Sequence, residues 1–183
     1  MSNDNTIFPH RKSPRASFID YNNGDYFVTV CTKDKIHYFG EIINGVMYFN
    51  QIGEELDHEL RNVSEHHPHV TIPIYTVMPN HFHAIIRIAY PEDVFNANRC
   101  IPTAKERMLN KVGNNHDTSN PFLSTFIGQI KASITRYANK CNINFKWQPR
   151  YHDHLVRGIT DGNQIAQYIK NNVANWTLDC FYT

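Results

Sequence analysis

The rest of the chain is organised around the stretch PNHFHAII, residues 79–86. Side chains alternate between the two faces of a β-strand. The pattern therefore predicts a strand with His81 and His83 on one face, and with Phe82 and Ala84 on the other. Residues on one face lie about 6.5 Å apart along a strand, close enough for two imidazoles to share one metal ion. The stretch predicts a metal-ligand pair on a rigid element.

The same pair permits a simpler interpretation, in which two solvated imidazoles lie on a surface strand. The chain has 11 histidines, so an H-x-H pattern arises by chance fairly often and is a weak signal alone. The opposite face continues through Ile86 and Ile88 without a polar interruption, which indicates a packed strand and not a loop. This context favours the ligand pair.

The composition is that of a globular domain. Of 183 residues, 41% are hydrophobic and 19% are charged, and this length fits one domain over residues 1–183. No apolar run approaches the roughly 20 residues of a membrane span. Residues 1–15 are polar and lack the apolar segment of a secretory signal. We therefore expect a cytoplasmic protein without membrane contact.

The cysteine spacing indicates the state of the thiols, and the charge distribution indicates which part of the chain is basic. The 4 cysteines are far apart and form no C-x-x-C pair, which predicts reduced structural thiols. Residues 1–118 carry 11 Lys and Arg against 14 Asp and Glu, a net charge of −3. Residues 119–183 carry 7 against 3, a net charge of +4. The C-terminal third is the predicted basic face.

Local patterns predict the elements that precede the histidine strand. A β-branched and aromatic run at 26–32 predicts a central strand. Asn44-Gly45 between two apolar runs is a strong hairpin signal. Asn50 is placed to cap a helix with an apolar stripe, and a strand at 70–77 then leads through Met78-Pro79 into the histidine strand.

Three segments are assigned outside the site. His66-His67-Pro68-His69 invites a metal interpretation, but Pro68 interrupts the backbone between a helix and a strand, which favours a connecting turn. Residues from about 1 to 22 are predicted to form a flexible arm. Residues from about 90 to 120, rich in Pro, Asn, Asp and Ser, predict a loop insertion that is functional or disordered.

The C-terminal third predicts two helices and a short segment between them. Pro121 suits the first turn of a helix with one buried face. Residues 145–157 mix aromatics, bases and histidines, as a strand or loop that meets a ligand would. The last helix is predicted to begin near Thr160-Asp161, with Gln164 completing a capping box. Together the elements predict an α+β fold, an antiparallel sheet with helices on one side.

Four segments in order resemble the single-tyrosine HUH transposases, most of all the branch associated with repetitive extragenic palindromes (REP). The likeness runs from about Arg15 to Trp176 and rests on the segments 26–32, 78–83, 147–154 and 168–172. It implies a ferredoxin-like sheet with helices packed on one face, and a C-terminal helix that carries the nucleophile. It also implies an enzyme that cuts and rejoins single-stranded DNA beside a hairpin.

The resemblance extends to individual residues. His81 and His83 match the HUH pair, Tyr168 matches the nucleophile, and Asn172 matches the third metal ligand. Val173 departs from the pattern, because members commonly have proline there. Residues i and i+4 of a helix lie about 6 Å apart, so Tyr168 and Asn172 can address one small volume. Mixed nitrogen and oxygen ligands suit Mg²⁺ or Mn²⁺ as a Lewis acid, and the expected product is a 5′-phosphotyrosine bond.

The basic C-terminal third supplies candidates for DNA contact. Lysine and arginine side chains suit phosphate contacts, and aromatic rings suit stacking on unpaired nucleobases. These candidates are Lys131, Trp147, Arg150, Tyr151, Arg157 and Lys170. Each has the alternative of a solvated charge or a core aromatic. Tyr151 is also the alternative nucleophile, and Asp153 and His154 are candidates for accepting the tyrosine proton.

Two rival functions remain at this point. A metal-dependent phosphodiesterase could use the histidine pair without a covalent step. A domesticated hairpin-DNA-binding protein would bind without cleaving. The sequence also permits a homodimer, with Tyr168 supplied either by the same subunit as His81 or by the partner.

Overall fold

The computed structural model describes residues 24–89 and 121–183. The arm predicted at about 1–22 and the insertion predicted at about 90–120 lie outside these residues. The extent of the single domain over residues 1–183 therefore stays a prediction.

The described residues form six strands and four α-helices. The strands are β1 (Gly24–Cys31), β2 (Gly40–Ile43), β3 (Val46–Phe49), β4 (Val70–Met78), β5 (His81–Ile88) and β6 (His152–Leu155). The helices are α1 (Gln51–Arg61), α2 (Val63–His66), α3 (Pro121–Lys140) and α4 (Gly158–Asn171). Short 3-10 turns follow β1 at Lys33–Lys35 and α4 at Trp176–Leu178.

Four of the strands form one antiparallel sheet in the order β4-β5-β1-β6. Numbered along the chain as sheet strands one to four, this order is 2-3-1-4, the arrangement of the ferredoxin-like β-α-β-β-α-β unit. Helix α1 lies in the connection from β1 to β4, and α3 in the connection from β5 to β6. The predicted α+β class and the central position of β1 are confirmed.

One face of the sheet carries the main core. Tyr26, Val28 and Val30 of β1 are fully buried there, as are Phe82 and Ala84 of β5. The buried stripes of α1 and α3 cover this face. The apolar side of the opening stretch therefore packs as its alternation predicts, and its burial holds β5 in place.

The opposite face of the sheet carries the histidines. In the register of β1 with β5, His83 lies opposite Thr29 and His81 lies opposite Cys31. Helix α4 packs on this face against β4 and β5. The sheet is therefore covered on both sides, with the polar site between the sheet and the last helix.

The β2–β3 hairpin and the start of α1 follow their sequence signals. Asn44 and Gly45 both have positive φ, at 52° and 76°, as a two-residue type I′ turn requires. The Asn50 side chain accepts hydrogen bonds from the backbone N–H groups of Ile52 and Gly53, each at 3.0 Å. This cap fixes where α1 begins.

The predicted start of the last helix was wrong by two to three residues. Helix α4 begins at Gly158, not near Thr160-Asp161, and Asp161 lies inside its first turn. The Asp161 carboxylate accepts a hydrogen bond from the Arg157 backbone N–H at 2.7 Å. It thereby satisfies an amide that the helix itself leaves unpaired, so Asp161 stabilises the helix start from one turn further in. None of the described helices is both long and apolar enough to cross a membrane.

Candidate active site

The two histidines of β5 form the floor of the site. His81 is 0% exposed and His83 is 1% exposed, and their Nε2 atoms face each other at 3.0 Å. Because they lie at i and i+2 on a packed strand, both side chains leave the same face of the sheet. Both rings therefore present one nitrogen to the same point.

Asn80 sets the tautomer of His81. Its Nδ2 donates to the carbonyl oxygens of Lys35 and Phe181, at 3.1 and 2.9 Å. This leaves Asn80 Oδ1 as the acceptor at 2.8 Å from His81 Nδ1. His81 must then carry its proton on Nδ1, which leaves a lone pair on Nε2 directed into the site.

Thr29 holds the second imidazole. Its Oγ1 lies 2.8 Å from His83 Nδ1, and the Phe27 ring stacks on the imidazole with 5.4 Å between centroids. Burial, and then the neighbouring charge of His83, lowers the pKa of His81 to about 2. Burial lowers the pKa of His83 to about 4, although the charge of Asp179 opposes this. Both rings are therefore neutral near pH 7, the form that binds a metal ion.

Tyr168 of α4 lies directly over this pair. Its hydroxyl is 3.2 Å from His83 Nε2, within the same chain. The residue is 45% exposed, and its ring contacts Phe27 edge-on. Burial and then the charge of Asp179 raise the pKa of Tyr168, while a hydrogen bond from Asn172 opposes the rise. The phenol is thus reachable from solvent and stays protonated unless a cation approaches.

Asn172 lies one helical turn after Tyr168 and is 4% exposed. Its Nδ2 donates to Asp179 Oδ2 at 3.1 Å. Its Oδ1 is buried and has no hydrogen-bond partner among the described residues. A buried amide oxygen without a partner is costly, so this atom is suited to a ligand that the protein itself does not supply.

The structure adds Asp179, which sequence reasoning missed. Its carboxylate Oδ2 is 4.0 Å from His81 Nε2, and its side chain is 2% exposed. His81, His83 and Asp179 offer ligand atoms that all lie within 4.8 Å of one another. No helical or strand period links Asp179 to the other residues. The available signal was that Asp179 is the only acidic residue after Asp161.

These residues fit a divalent cation. Adjacent ligands of an octahedral ion with bonds of about 2.1 Å lie about 3.0 Å apart. The two Nε2 atoms are 3.0 Å apart, and the His81 lone pair already faces its neighbour. The unpartnered Asn172 Oδ1 is an oxygen donor of the kind that Mg²⁺ and Mn²⁺ accept beside imidazole. The described residues bring no cysteine-rich zinc arrangement to this point.

Three of the predicted DNA contacts lie in packed surroundings. Lys131 Nζ donates to the carbonyl oxygens of Gln148 and Arg150, at 2.9 and 2.6 Å. Burial lowers the pKa of Lys131. Trp147 is half-buried, and its Nε1 donates to the Lys131 carbonyl oxygen at 3.0 Å. The Tyr151 hydroxyl lies 3.1 Å from Ser124 Oγ on α3, so it is directed to the core side of the sheet.

The other three predicted contacts are exposed. Arg150, Arg157 and Lys170 all present their side chains at the surface. Arg157 precedes α4, and Lys170 lies in its last turn. The structure does not bring these basic side chains into contact with the histidine pair, and their role in DNA binding stays a prediction.

The two candidate proton acceptors fall on opposite faces of the sheet. Asp153 lies opposite Val28 in the register of β1 with β6, on the core face, whereas His83 lies on the other face. This placement removes Asp153 as the acceptor of the Tyr168 proton. His154 lies on the site face, where its Nε2 is 3.0 Å from Asp161 Oδ2 at the start of α4.

The remaining histidine cluster lies elsewhere. His66 and His67 line a cavity of about 270 Å³ between α1, α2 and α3, which is separate from the histidine pair. Residues 67–69 connect α2 to β4, as the sequence predicts. A second cavity, of about 460 Å³, lies between the β2–β3 hairpin and the residues after α4.

Comparisons with known proteins agree with this architecture. No family model matches the chain. A Haemophilus influenzae protein described as uncharacterized is 32% identical over 175 residues, which cover 94% of this chain and 93% of that protein. A solved REP-associated tyrosine transposase, bound to a REP hairpin, covers 90% of this chain and 74% of its own, with 18% identity and a TM-score of 0.55. The chain belongs to one family with the Haemophilus influenzae protein, and its fold is that of the REP-associated tyrosine transposases.

Proposed function

We propose that the chain is a metal-dependent DNA transposase that cleaves and rejoins single-stranded DNA near a hairpin. Tyr168 is the nucleophile, and His81, His83 and Asn172 hold Mg²⁺ or Mn²⁺. The observation that carries the proposal is the 3.2 Å contact between the Tyr168 hydroxyl and His83 Nε2. A tyrosine hydroxyl beside a neutral histidine pair puts a nucleophile next to groups that can bind a Lewis-acid ion, as a phosphotyrosine transesterase needs.

The proposed step is an in-line exchange at one phosphodiester. Tyr168 Oη bonds to the phosphorus while the bond from phosphorus to the 3′ oxygen breaks. The phenolic proton is released, and the departing oxygen takes up a proton to become a free 3′-hydroxyl. The products are a 5′-phosphotyrosine and a 3′-hydroxyl strand, so one ester replaces another. Attack by a 3′-hydroxyl on the phosphotyrosine reverses the step without ATP.

The protein's own residues position and activate this exchange. Thr29 and Asn80 fix the two imidazoles, and α4 places the phenol beside them. The divalent ion, when bound, neutralises charge on the phosphate as a Lewis acid. As described, Phe181 lies over His81 with 4.6 Å between ring centroids. Phe181 therefore covers His81 on the side of the residues that follow α4.

A hairpin is the proposed partner because the solved transposase of the same fold is bound to a REP hairpin. The exposed side chains of Arg150, Arg157 and Lys170 provide positive charge that suits a phosphate backbone. We propose single-stranded DNA with a palindromic stem as the substrate. The hairpin sequence is a separate question that a library can answer.

The test is a search for a covalent protein–DNA species. A library of stem-loop oligonucleotides with randomised stems and single-stranded flanks, labelled at the 3′ end, is incubated with the protein and Mn²⁺ or Mg²⁺. On a denaturing gel, the wild type is expected to give a species that carries the 3′ label, because Tyr168 binds the 5′ phosphate of the downstream fragment. Tyr168→Phe is expected to lower this product by at least about 10³-fold.

Tyr151→Phe is the matched control, since it removes a hydroxyl that bonds Ser124 on the far face of the sheet. This variant keeps an aromatic ring and is expected to retain the covalent species. Cleavage that persists in Tyr168→Phe without an adduct would instead support the phosphodiesterase. Hairpin binding without cleavage by the wild type in either ion would support the domesticated binding protein.

A further inference from the structure

The residues after α4 bring a buried carboxylate to the histidine pair. Asp179 is 2% exposed at its side chain, and its Oδ2 lies 4.0 Å from His81 Nε2. The Phe181 backbone N–H donates to its Oδ1 at 2.7 Å. One oxygen is thus fixed by the backbone, and the other is directed at the imidazoles.

A second observation points to a ligand at the same place. Asn172 Nδ2 donates to Asp179 Oδ2 at 3.1 Å, so the Asn172 amide lies beside this carboxylate. That buried oxygen has no partner among the described residues. Two imidazole nitrogens and one carboxylate oxygen therefore lie close together, and the amide that donates to this carboxylate has an unsatisfied oxygen.

The two Nε2 atoms have the separation of adjacent ligands of one ion, and the Asp179 carboxylate lies about 1 Å further from His81 than an adjacent ligand would. Ligands of an octahedral ion with bonds of about 2.1 Å lie about 3.0 Å apart when adjacent and about 4.2 Å apart when opposite. The Nε2 atoms are 3.0 Å apart, and Asp179 Oδ2 is 4.0 Å from His81 Nε2. All three ligand atoms of His81, His83 and Asp179 lie within 4.8 Å of one another.

We infer that Asp179 is a fourth protein ligand of the divalent ion, in addition to His81, His83 and Asn172. This inference rests on the metal site of the proposed function. Asp179 is the only charged member of the set, so it offsets half of the charge of the ion and favours hard divalent cations. Four protein ligands leave two positions of an octahedral ion for substrate and water. Ion binding and docking of the segment after α4 are therefore coupled.

The alternative role for Asp179 is to orient Asn172 without touching the ion. A double-mutant cycle separates the two roles, because residues that act through one another are not additive. The four proteins are the wild type, Asp179→Asn, Asn172→Ala and the double variant. Mn²⁺ affinity of each metal-free, full-length protein is measured from the electron paramagnetic resonance signal of free Mn²⁺, without DNA.

A ligand role predicts that Asp179→Asn weakens Mn²⁺ binding at least tenfold in both backgrounds, because even partners outside the ligand set cost about 10- to 100-fold. An effect that vanishes in the Asn172→Ala background overturns the inference and makes Asp179 a positioning residue. Equal affinity of Asp179→Asn and wild type overturns it as well.

Three further variants serve as controls for the Mn²⁺ affinity measurement. Asp34→Asn removes the same charge at an exposed position and is expected to leave Mn²⁺ affinity unchanged. Asp179→Ser keeps an oxygen that can accept from Phe181 and is measured if Asp179→Asn does not fold by circular dichroism. If the wild type shows no saturable Mn²⁺ binding, or His81→Ala binds as well as the wild type, the metal site of the proposed function fails. If only the inference about Asp179 fails, His81→Ala still weakens Mn²⁺ binding, whereas Asp179→Asn binds Mn²⁺ as the wild type does.

Discussion

At the scale of single residues, the site depends on partners that fix each imidazole. Asn80 accepts from Nδ1 of His81 and so leaves the lone pair on Nε2, and the Thr29 hydroxyl forms a hydrogen bond with Nδ1 of His83. The sequence pattern identifies the two imidazoles, but it does not say which nitrogen of each is available. Which nitrogen is available depends on Thr29 of the neighbouring strand β1 and on the Phe181 carbonyl oxygen after α4.

Loss of the Thr29 hydroxyl tests this arrangement. Thr29→Val leaves His83 Nδ1 without its partner, so the ring is no longer held with Nε2 toward the ion. We expect Mn²⁺ affinity to fall by about 10- to 100-fold, since outer partners of metal-binding histidines have effects of this size. Isothermal titration calorimetry on the metal-free protein measures the change.

Thr76→Val is the matched control for that experiment. Thr76 flanks His83 from β4, on the other side of the same strand, and its Oγ1 contacts Met78 Sδ at 4.0 Å instead of an imidazole. The same chemical change there is expected to leave Mn²⁺ affinity within about twofold, the ordinary scatter of a substitution that removes no specific partner. Equal losses in both variants would show that the Thr29 contact has no specific role.

At the scale of elements, the approach of α1 to the sheet depends on one glycine. Gly53 lies in the first turn of α1, where helix propensity alone disfavours glycine. A Cβ there would lie 2.0 Å from the Phe39 carbonyl oxygen. Gly53 is therefore kept by the close contact between backbones that follows the β2–β3 hairpin, which the one-dimensional pattern does not reveal.

Two glycine substitutions with opposite outcomes test this reasoning. Gly53→Ala is expected to lower the free energy of unfolding by about 1–3 kcal/mol, because backbone must move to admit the methyl group. Gly128→Ala, in α3 with nothing within 4 Å of its Cβ, is expected to raise it by about 0.5–1 kcal/mol. Urea denaturation measures both variants, and a Gly53→Ala protein as stable as the wild type would contradict the explanation.

At the scale of the whole molecule, the site is assembled from distant parts of one chain. Tyr168 is 85 positions from His83 in sequence, yet its hydroxyl is 3.2 Å from that imidazole. The sequence left open whether the tyrosine acts in its own subunit or in a partner. The described geometry supports an arrangement within one chain.

Mixing two inactive chains tests that arrangement. One chain carries His81→Ala and the other carries Tyr168→Phe, so only a site shared between subunits can recover cleavage. We expect no covalent DNA species from the mixture, because each chain lacks a part of its own site. Wild-type protein mixed with either variant must stay active, which excludes poisoning. Recovered adduct in the double mixture would require a tyrosine supplied by the partner.

Features of the fold that have a local cause follow from the amino-acid pattern alone. Alternation in residues 79–86 predicted which side chains of β5 are buried, Asn44-Gly45 predicted the hairpin, and Asn50 predicted the start of α1. Each depends on backbone geometry within a few residues, which the amino-acid types specify directly.

The other features became visible in the folded chain. It moved the start of α4 to Gly158, placed Asp153 on the far face of the sheet, and brought Asp179 to the histidines. These outcomes depend on strand register and on how the residues after α4 fold back over β5. The physical reason is that contacts between distant segments are selected by burial and pairing across the whole core, and no local spacing records them.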